Sequence, residues 1–105
     1  MKVFLGGTVN GSDWRDRIIP ELEIDYFNPV VKEWDDAAYQ RELYERQYCD
    51  FCLYVITPKL TGFYALAEVT DDSYKRPDRT LYCFLEKDED TAFSEEEIEY
   101  KNNKT

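Results

Sequence analysis

Glu68 is the residue of this chain best placed to do chemistry. It closes the stretch Thr61-Gly62-Phe63-Tyr64-Ala65-Leu66-Ala67-Glu68. A short apolar run precedes that stretch (Phe51 to Ile56), and another follows it (Thr80 to Leu85). The spacing predicts a strand, a loop and then a helix that carries Glu68 near its start. In α/β domains such junctions form the ligand crevice. A carboxylate held there can act as a nucleophile on an anomeric carbon.

A second carboxylate, Glu42, belongs to a predicted helix over Asp35 to Tyr48. Ala38, Glu42, Glu45 and Cys49 share one face of that helix. The small residues beside Glu42 allow close packing around it. The chain has no histidine. That excludes histidine-based acid–base catalysis and most Ser-His and Cys-His nucleophile schemes. Carboxylates, tyrosines, cysteines and backbone groups remain.

Cys49 and Cys52 form a C-x-x-C, and Cys83 stands apart. A redox pair of this type follows a strand, at a helix N-terminus that lowers the thiol pKa. Here the order is reversed, because a helix ends where the pair begins. Three cysteines without histidine fall short of a structural zinc site. The three read as small buried apolar side chains, and no metal or cofactor is expected.

The elements that must position Glu68 and Glu42 follow from the apolar pattern. Val3 to Leu5 is a first strand, and Gly6 to Gly11 a glycine-rich loop. Ser12 is the expected N-cap of a short helix through Ile19, stopped by Pro20. Ile24 to Phe27 is a second strand, ended by Asn28-Pro29. Asp35 or Asp36 caps the long helix. Phe51 to Ile56 is apolar throughout, as a strand covered on both faces must be. Tyr64 to Ser73 is a helix, Lys75 to Asp78 a turn, and Thr80 to Leu85 a fourth strand. Ser94-x-x-Glu97 is a capping box for a short last helix, and 101–105 a frayed tail.

Strands alternate with helices. The fold class is therefore α/β: a small open parallel-sheet, Rossmann-like or flavodoxin-like three-layer sandwich of about four strands. The expected strand order is 2-1-3-4. The switch point lies between strands one and three, so the glycine loop and Glu68 converge there. A chain of 105 residues makes one domain, 1–105, with a core over 1–85 and an acidic segment over 86–105.

The formal net charge is −10, with no basic stripe. Phosphate neutralisation needs clustered Lys and Arg, so nucleic acid is not an expected partner. No apolar run reaches the length of a membrane span, and glycines interrupt the start too early for a signal peptide. A cytoplasmic, non-membrane protein is expected. A sheet this small, with uncovered helix faces, favours a homo-oligomer.

Three stretches together carry a resemblance. The first is Val3-Phe4-Leu5-Gly6-Gly7-Thr8. The second is Gln40-Arg41-Glu42-Leu43-Tyr44 with Cys49-Asp50-Phe51-Cys52-Leu53-Tyr54-Val55, where Glu42 stands eight positions before Asp50. The third runs from Thr61 through Glu68 to Lys75-Arg76-Pro77 and a strand. In order and spacing, residues 1–85 resemble the nucleoside 2-deoxyribosyltransferase superfamily, in particular its small "nucleoside 2-deoxyribosyltransferase-like" branch. The chain departs from that pattern in having Glu42 for an aspartate, Glu68-Val69-Thr70 without the usual glycine, and a single Gly62.

The resemblance implies N-glycosyl transfer or hydrolysis at C1′ of a (deoxy)nucleoside or its 5′-phosphate. Glu68 would be the nucleophile, and Glu42 would pass protons to the leaving base or hold the sugar hydroxyls. Two adjacent carboxylates would raise one pKa, which suits an acid at neutral pH. The substrate-binding set would be Gly6, Gly7, Thr8, Val9, Asn10, Asn28, Gly62 and Tyr64, with Tyr64 beside a base. A nucleotide-sensing module without activity is the alternative, and an acidic protein-interaction module a third reading. Plainer readings of single residues put Glu68, Asp71 and Asp72 on solvated helix faces and pair Glu42 with Arg46 at i,i+4.

Overall fold

The computed structural model describes residues 1–9, 11–61, 63–89 and 91–92. Four strands make the sheet: β1 (Lys2–Gly7), β2 (Asp25–Phe27), β3 (Phe51–Ile56) and β4 (Thr80–Phe84). All three pairings are parallel, and the order is β2-β1-β3-β4. Helix α1 (Trp14–Ile18) links β1 to β2, α2 (Asp36–Tyr48) links β2 to β3, and α3 (Tyr64–Lys75) links β3 to β4. This is the small open three-layer α/β sandwich that the alternation of elements predicts. Among the described residues, no helix is long and apolar enough to cross a membrane.

Side chains alternate across the sheet with period two. Phe4, Cys52 and Tyr54 face one side, where Val69 of α3 and Cys49 at the end of α2 cover them. Val3, Leu5 and Val55 face the other, under Trp14 of α1, with Ile18, Leu53 and Cys83 packed beside them. The apolar run of β3 therefore serves both layers. Asp50 pins its start to β1: the Lys2 amide donates to Asp50 Oδ2 at 2.7 Å, and the Asp50 amide donates to the Lys2 carbonyl at 2.9 Å.

Several local expectations need correction. Gly6 and Gly7 are the last residues of β1, not part of the loop. A Cβ at Gly6 would stand 2.4 Å from the Tyr54 ring. Gly7 has φ +110°, and a Cβ there would stand 2.1 Å from the Val55 carbonyl oxygen. Both glycines let β3 come close. Ser12 does not cap α1. Asp13 occupies the cap position without a side-chain bond, and the Ser12 hydroxyl donates to buried Asp88 instead. Asp35 does cap α2, accepting from the Ala38 amide at 2.8 Å. Helix α3 runs past Ser73 to Lys75, and residues Pro77–Arg79 form a 3-10 turn. After β4 the chain makes a small antiparallel hairpin of β5 (Lys87–Asp88) and β6 (Thr91–Ala92), turning through Glu89 at φ 56°. The capping box at Ser94 lies outside the described residues.

Candidate active site

A cleft of about 380 Å³ opens where β1 and β3 end. That volume is within the range of small-molecule sites. Gly6 and Gly7 form its floor, Glu42 comes from α2, and Ala65 and Glu68 come from α3. The segment between β2 and α2 supplies Pro29, Val30, Val31 and Trp34. The crossover connections thus bring Glu42 and Glu68 to one wall, although they are 26 positions apart in sequence.

Neither carboxylate is solvated. Glu68 is only 8% exposed and Glu42 is equally buried. The two carboxylates lie close enough for Glu42 to act on the titration of Glu68. Burial is the main cause that raises the Glu68 pKa, and the neighbouring Glu42 raises it further, to about 9. Arg46 opposes the rise, with Nη1 at 3.6 Å from Glu68 Oε2. That oxygen is buried without a hydrogen-bond partner among the described residues.

Arg46 does not pair with Glu42. A buried network holds it in place. Its Nε donates to Asp72 Oδ2 at 3.1 Å, and its Nη2 donates to Asp72 Oδ1 at 3.0 Å and to Asp71 Oδ2 at 3.1 Å. The Tyr54 hydroxyl and Arg76 also donate to Asp72. Asp72 is 0% exposed, which corrects the solvated-face expectation. Burial alone would raise its pKa, yet the bonds from Arg46, Tyr54 and Arg76 hold it below the ordinary value. Asp71 is half-buried at the edge of the same network.

A second buried cation, Arg15, lines the cleft. Arg15 donates from Nε to the Leu5 carbonyl at 2.9 Å, from Nη1 to Thr8 at 2.6 Å and from Nη2 to Gly7 at 3.4 Å. Its guanidinium also stacks on Trp14. Burial lowers the Arg15 pKa to about 10, against the pull of Glu42, Glu68 and Asp16. Arg15 therefore stays charged at neutral pH. It holds the end of β1 and offsets negative charge in the cleft.

The remaining expected site residues divide. Gly6, Gly7, Val9 and Tyr64 line the cleft. Burial, with Glu42 and Glu68 nearby, raises the Tyr64 pKa. Thr8 lies behind the wall: it is fully buried, and its hydroxyl accepts from the Thr57 amide at 2.9 Å. Asn28 turns to its own loop and accepts from the Val30 amide at 3.1 Å. Asn10 and Gly62 lie outside the described residues.

Trp34 and Arg46 were not among the expected site residues. Trp34 meets Tyr64 edge-on, with centroids 6.4 Å apart. Its position just before the Asp35 cap was a local signal for a loop residue beside α2. For Arg46 no local signal existed.

Cys49 and Cys52 are buried free thiols, each pushed up to about 12 chiefly by burial. Such thiols are inert, as the reading of small apolar side chains requires. Elsewhere the carboxylates of Asp13, Asp88 and Glu89 lie within 4.8 Å of one another. Arg17 reaches Asp13 Oδ1 at 3.1 Å and Asp88 Oδ1 at 3.7 Å, and Lys59 reaches Glu89 Oε1 at 3.3 Å. These cations compensate the cluster, so it is an ion-pair network tying the hairpin to α1.

A family model described as "nucleoside 2-deoxyribosyltransferase like" matches residues 1–87. No curated protein and no solved structure matches the chain.

Proposed function

The chain belongs to the nucleoside 2-deoxyribosyltransferase-like family, and from that premise we propose that it breaks the N-glycosidic bond of a (deoxy)nucleoside or nucleoside 5′-phosphate. The carrying observation is the convergence of two buried carboxylates, Glu68 and Glu42, in the wall of a cleft sized for a small molecule.

Glu68 holds a proton at neutral pH. As Glu68 loses it to Glu42, the freed carboxylate attacks C1′. The C1′–N bond breaks, its electrons pass to the base, and Glu42 protonates the leaving nitrogen. Glu68 is then joined to the sugar as an ester. Water, or a second base, attacks C1′ with Glu42 accepting its proton, and the ester bond breaks. Arg46 beside Glu68 favours the ionised form that attack requires. Tyr64 and Trp34 at the opening offer aromatic surface to the base. The free thiols fit a reducing compartment, and we place the protein in the cytoplasm.

Chromatography of free base released from deoxynucleosides, their 5′-phosphates and NAD tests this reading. Release by the wild type, lowered by about 10³-fold or more in Glu68→Ala with an unchanged circular dichroism spectrum, is the expected result. Undiminished release by Glu68→Ala would sink the assignment of the nucleophile. Saturable nucleotide binding without release would favour the sensing module.

A further inference from the structure

The two loops that frame the cleft are tied to each other and to the β5–β6 hairpin. After β1 the chain passes Val9, Gly11 and Ser12 before α1, and after β3 it passes Thr57, Lys59 and Thr61 before α3. Val9 from the first loop and Leu60 and Thr61 from the second line the cleft. Thr8 and Thr57, where the loops leave the sheet, are fully buried. The Thr57 amide donates to the Thr8 hydroxyl at 2.9 Å, and the Lys59 amide donates to the Thr57 hydroxyl at 3.2 Å. Lys59 Nζ reaches across and donates to the Gly11 carbonyl at 3.1 Å.

The hairpin closes this frame. Asp88 is 0% exposed and does not line the cleft. Its Oδ2 accepts from the Ser12 hydroxyl of the first loop, and its Oδ1 faces Arg17 of α1 at 3.7 Å. The neighbouring Glu89 takes the second loop, with Oε1 at 3.3 Å from Lys59 Nζ. Two consecutive residues thus hold both loops. Burial would raise the Asp88 pKa, yet Ser12, Thr57, Lys59 and Arg17 hold it below the ordinary carboxylate value, so Asp88 is ionised at neutral pH.

A buried carboxylate is a costly way to attach a hairpin. An aliphatic side chain would hold it by packing, without taking a charge out of water. Packing alone does not set where a loop sits, whereas a charge-assisted hydrogen bond does. The matched family segment ends at residue 87, so Asp88 and Glu89 lie just beyond it.

We propose that Asp88 is a positioning residue for the reaction: with Glu89 it makes the hairpin a clamp that holds the loops after β1 and β3 at the spacing the substrate needs. This rests on the reading of the cleft as the substrate site. Asp88 acts through Ser12, and Glu89 through Lys59, on loops whose other residues line that site. Loosened loops must be ordered again at each binding event, so the loss falls on KM.

Amide hydrogen exchange followed by NMR, with steady-state kinetics of base release, tests the proposal. The amides of residues 12, 59 and 60 are each hydrogen-bonded within their own loop. In Asp88→Ala they are expected to exchange at least about tenfold faster, while the amides of β1 and β3 keep wild-type protection. KM is expected to rise about tenfold, with kcat changed by less than about threefold. Asp88→Asn keeps an oxygen for Ser12 and is expected to recover most of both losses. Ser12→Ala is expected to loosen the first loop as Asp88→Ala does, and the double variant no more than either, because both remove the same bond. Unchanged exchange at the loops in Asp88→Ala and Ser12→Ala overturns the clamp. Exchange that also rises across β1 and β3 overturns it too, since Asp88 would then only stabilise the fold. So does loosening of the loops with KM unchanged. The exchange readout needs no substrate, so it decides whether the hairpin holds the loops even where the wild type releases no base, the outcome that instead overturns the glycosyl reading.

Discussion

At the residue scale the decisive feature is the proton that buried Glu68 keeps in the folded protein. Its consequence for stability has a definite sign. Folded Glu68 keeps a proton up to about pH 9, whereas an unfolded glutamate gives it up near 4.5. Between those values the native state binds more protons than the unfolded state, so Glu68 makes stability fall as pH rises. Glu68→Gln removes that dependence while keeping the shape of the side chain. Urea unfolding is expected to show Glu68→Gln gaining on the wild type by about 2 kcal/mol between pH 5 and pH 8, after allowance for relaxation at the site. A pH-independent difference would mean that Glu68 is ionised in the folded protein. The site therefore stores instability, as functional sites commonly do.

At the scale of elements, α2 and α3 are joined by charge where most α/β helices are joined by aliphatic packing. Asp72 on α3 receives Arg46 from α2, Tyr54 from β3 and Arg76 from beyond its own helix. Removing one partner of such a network leaves the others buried and unpaired. Asp72→Ala is expected to cost about 3–5 kcal/mol, read as a lower urea midpoint with an unchanged slope. The Asp72 pKa is held below its ordinary value, so its contribution is present at neutral pH and is lost as pH falls through the acid range. The wild-type advantage over Asp72→Asn should accordingly shrink below about pH 4. This ion-paired seam also explains why the charged side of α2 faces inward.

At the scale of the whole molecule, 23 acidic and 13 basic residues give the net charge of −10. Self-repulsion of that size opposes the compact state, and salt screens it. The buried pairs around Asp72 and Glu45 are screened much less. Raising sodium chloride from about 20 mM to 500 mM is therefore expected to raise the thermal midpoint by a few degrees. A lowered midpoint would show that exposed ion pairs outweigh the net repulsion.

What the sequence determined by itself was the frame. The apolar run from Phe51 to Ile56, the Asp35 cap and the regular alternation of strand and helix are local signals, and they lead to the observed order β2-β1-β3-β4. The convergence of Gly6 and Gly7 with Glu68 followed from the same topology, because the switch point of a parallel sheet brings the ends of its first and third strands together, whereas Glu42 was singled out by the family resemblance. Only the tertiary structure decided the charge states and partners around them. Asp72 looks solvated in sequence, since an acidic residue near a helix end is normally exposed. It is buried because Arg46, 26 positions away, lies opposite it together with Tyr54. Gly6 and Gly7 look like a loop, yet they end a strand because β3 approaches too closely for a side chain. The same limit applies to Ser12, whose hydroxyl goes to Asp88 and not to its own helix. Local pattern reports what a segment can bury. Whether a charged group is buried depends on a partner that only the fold brings near.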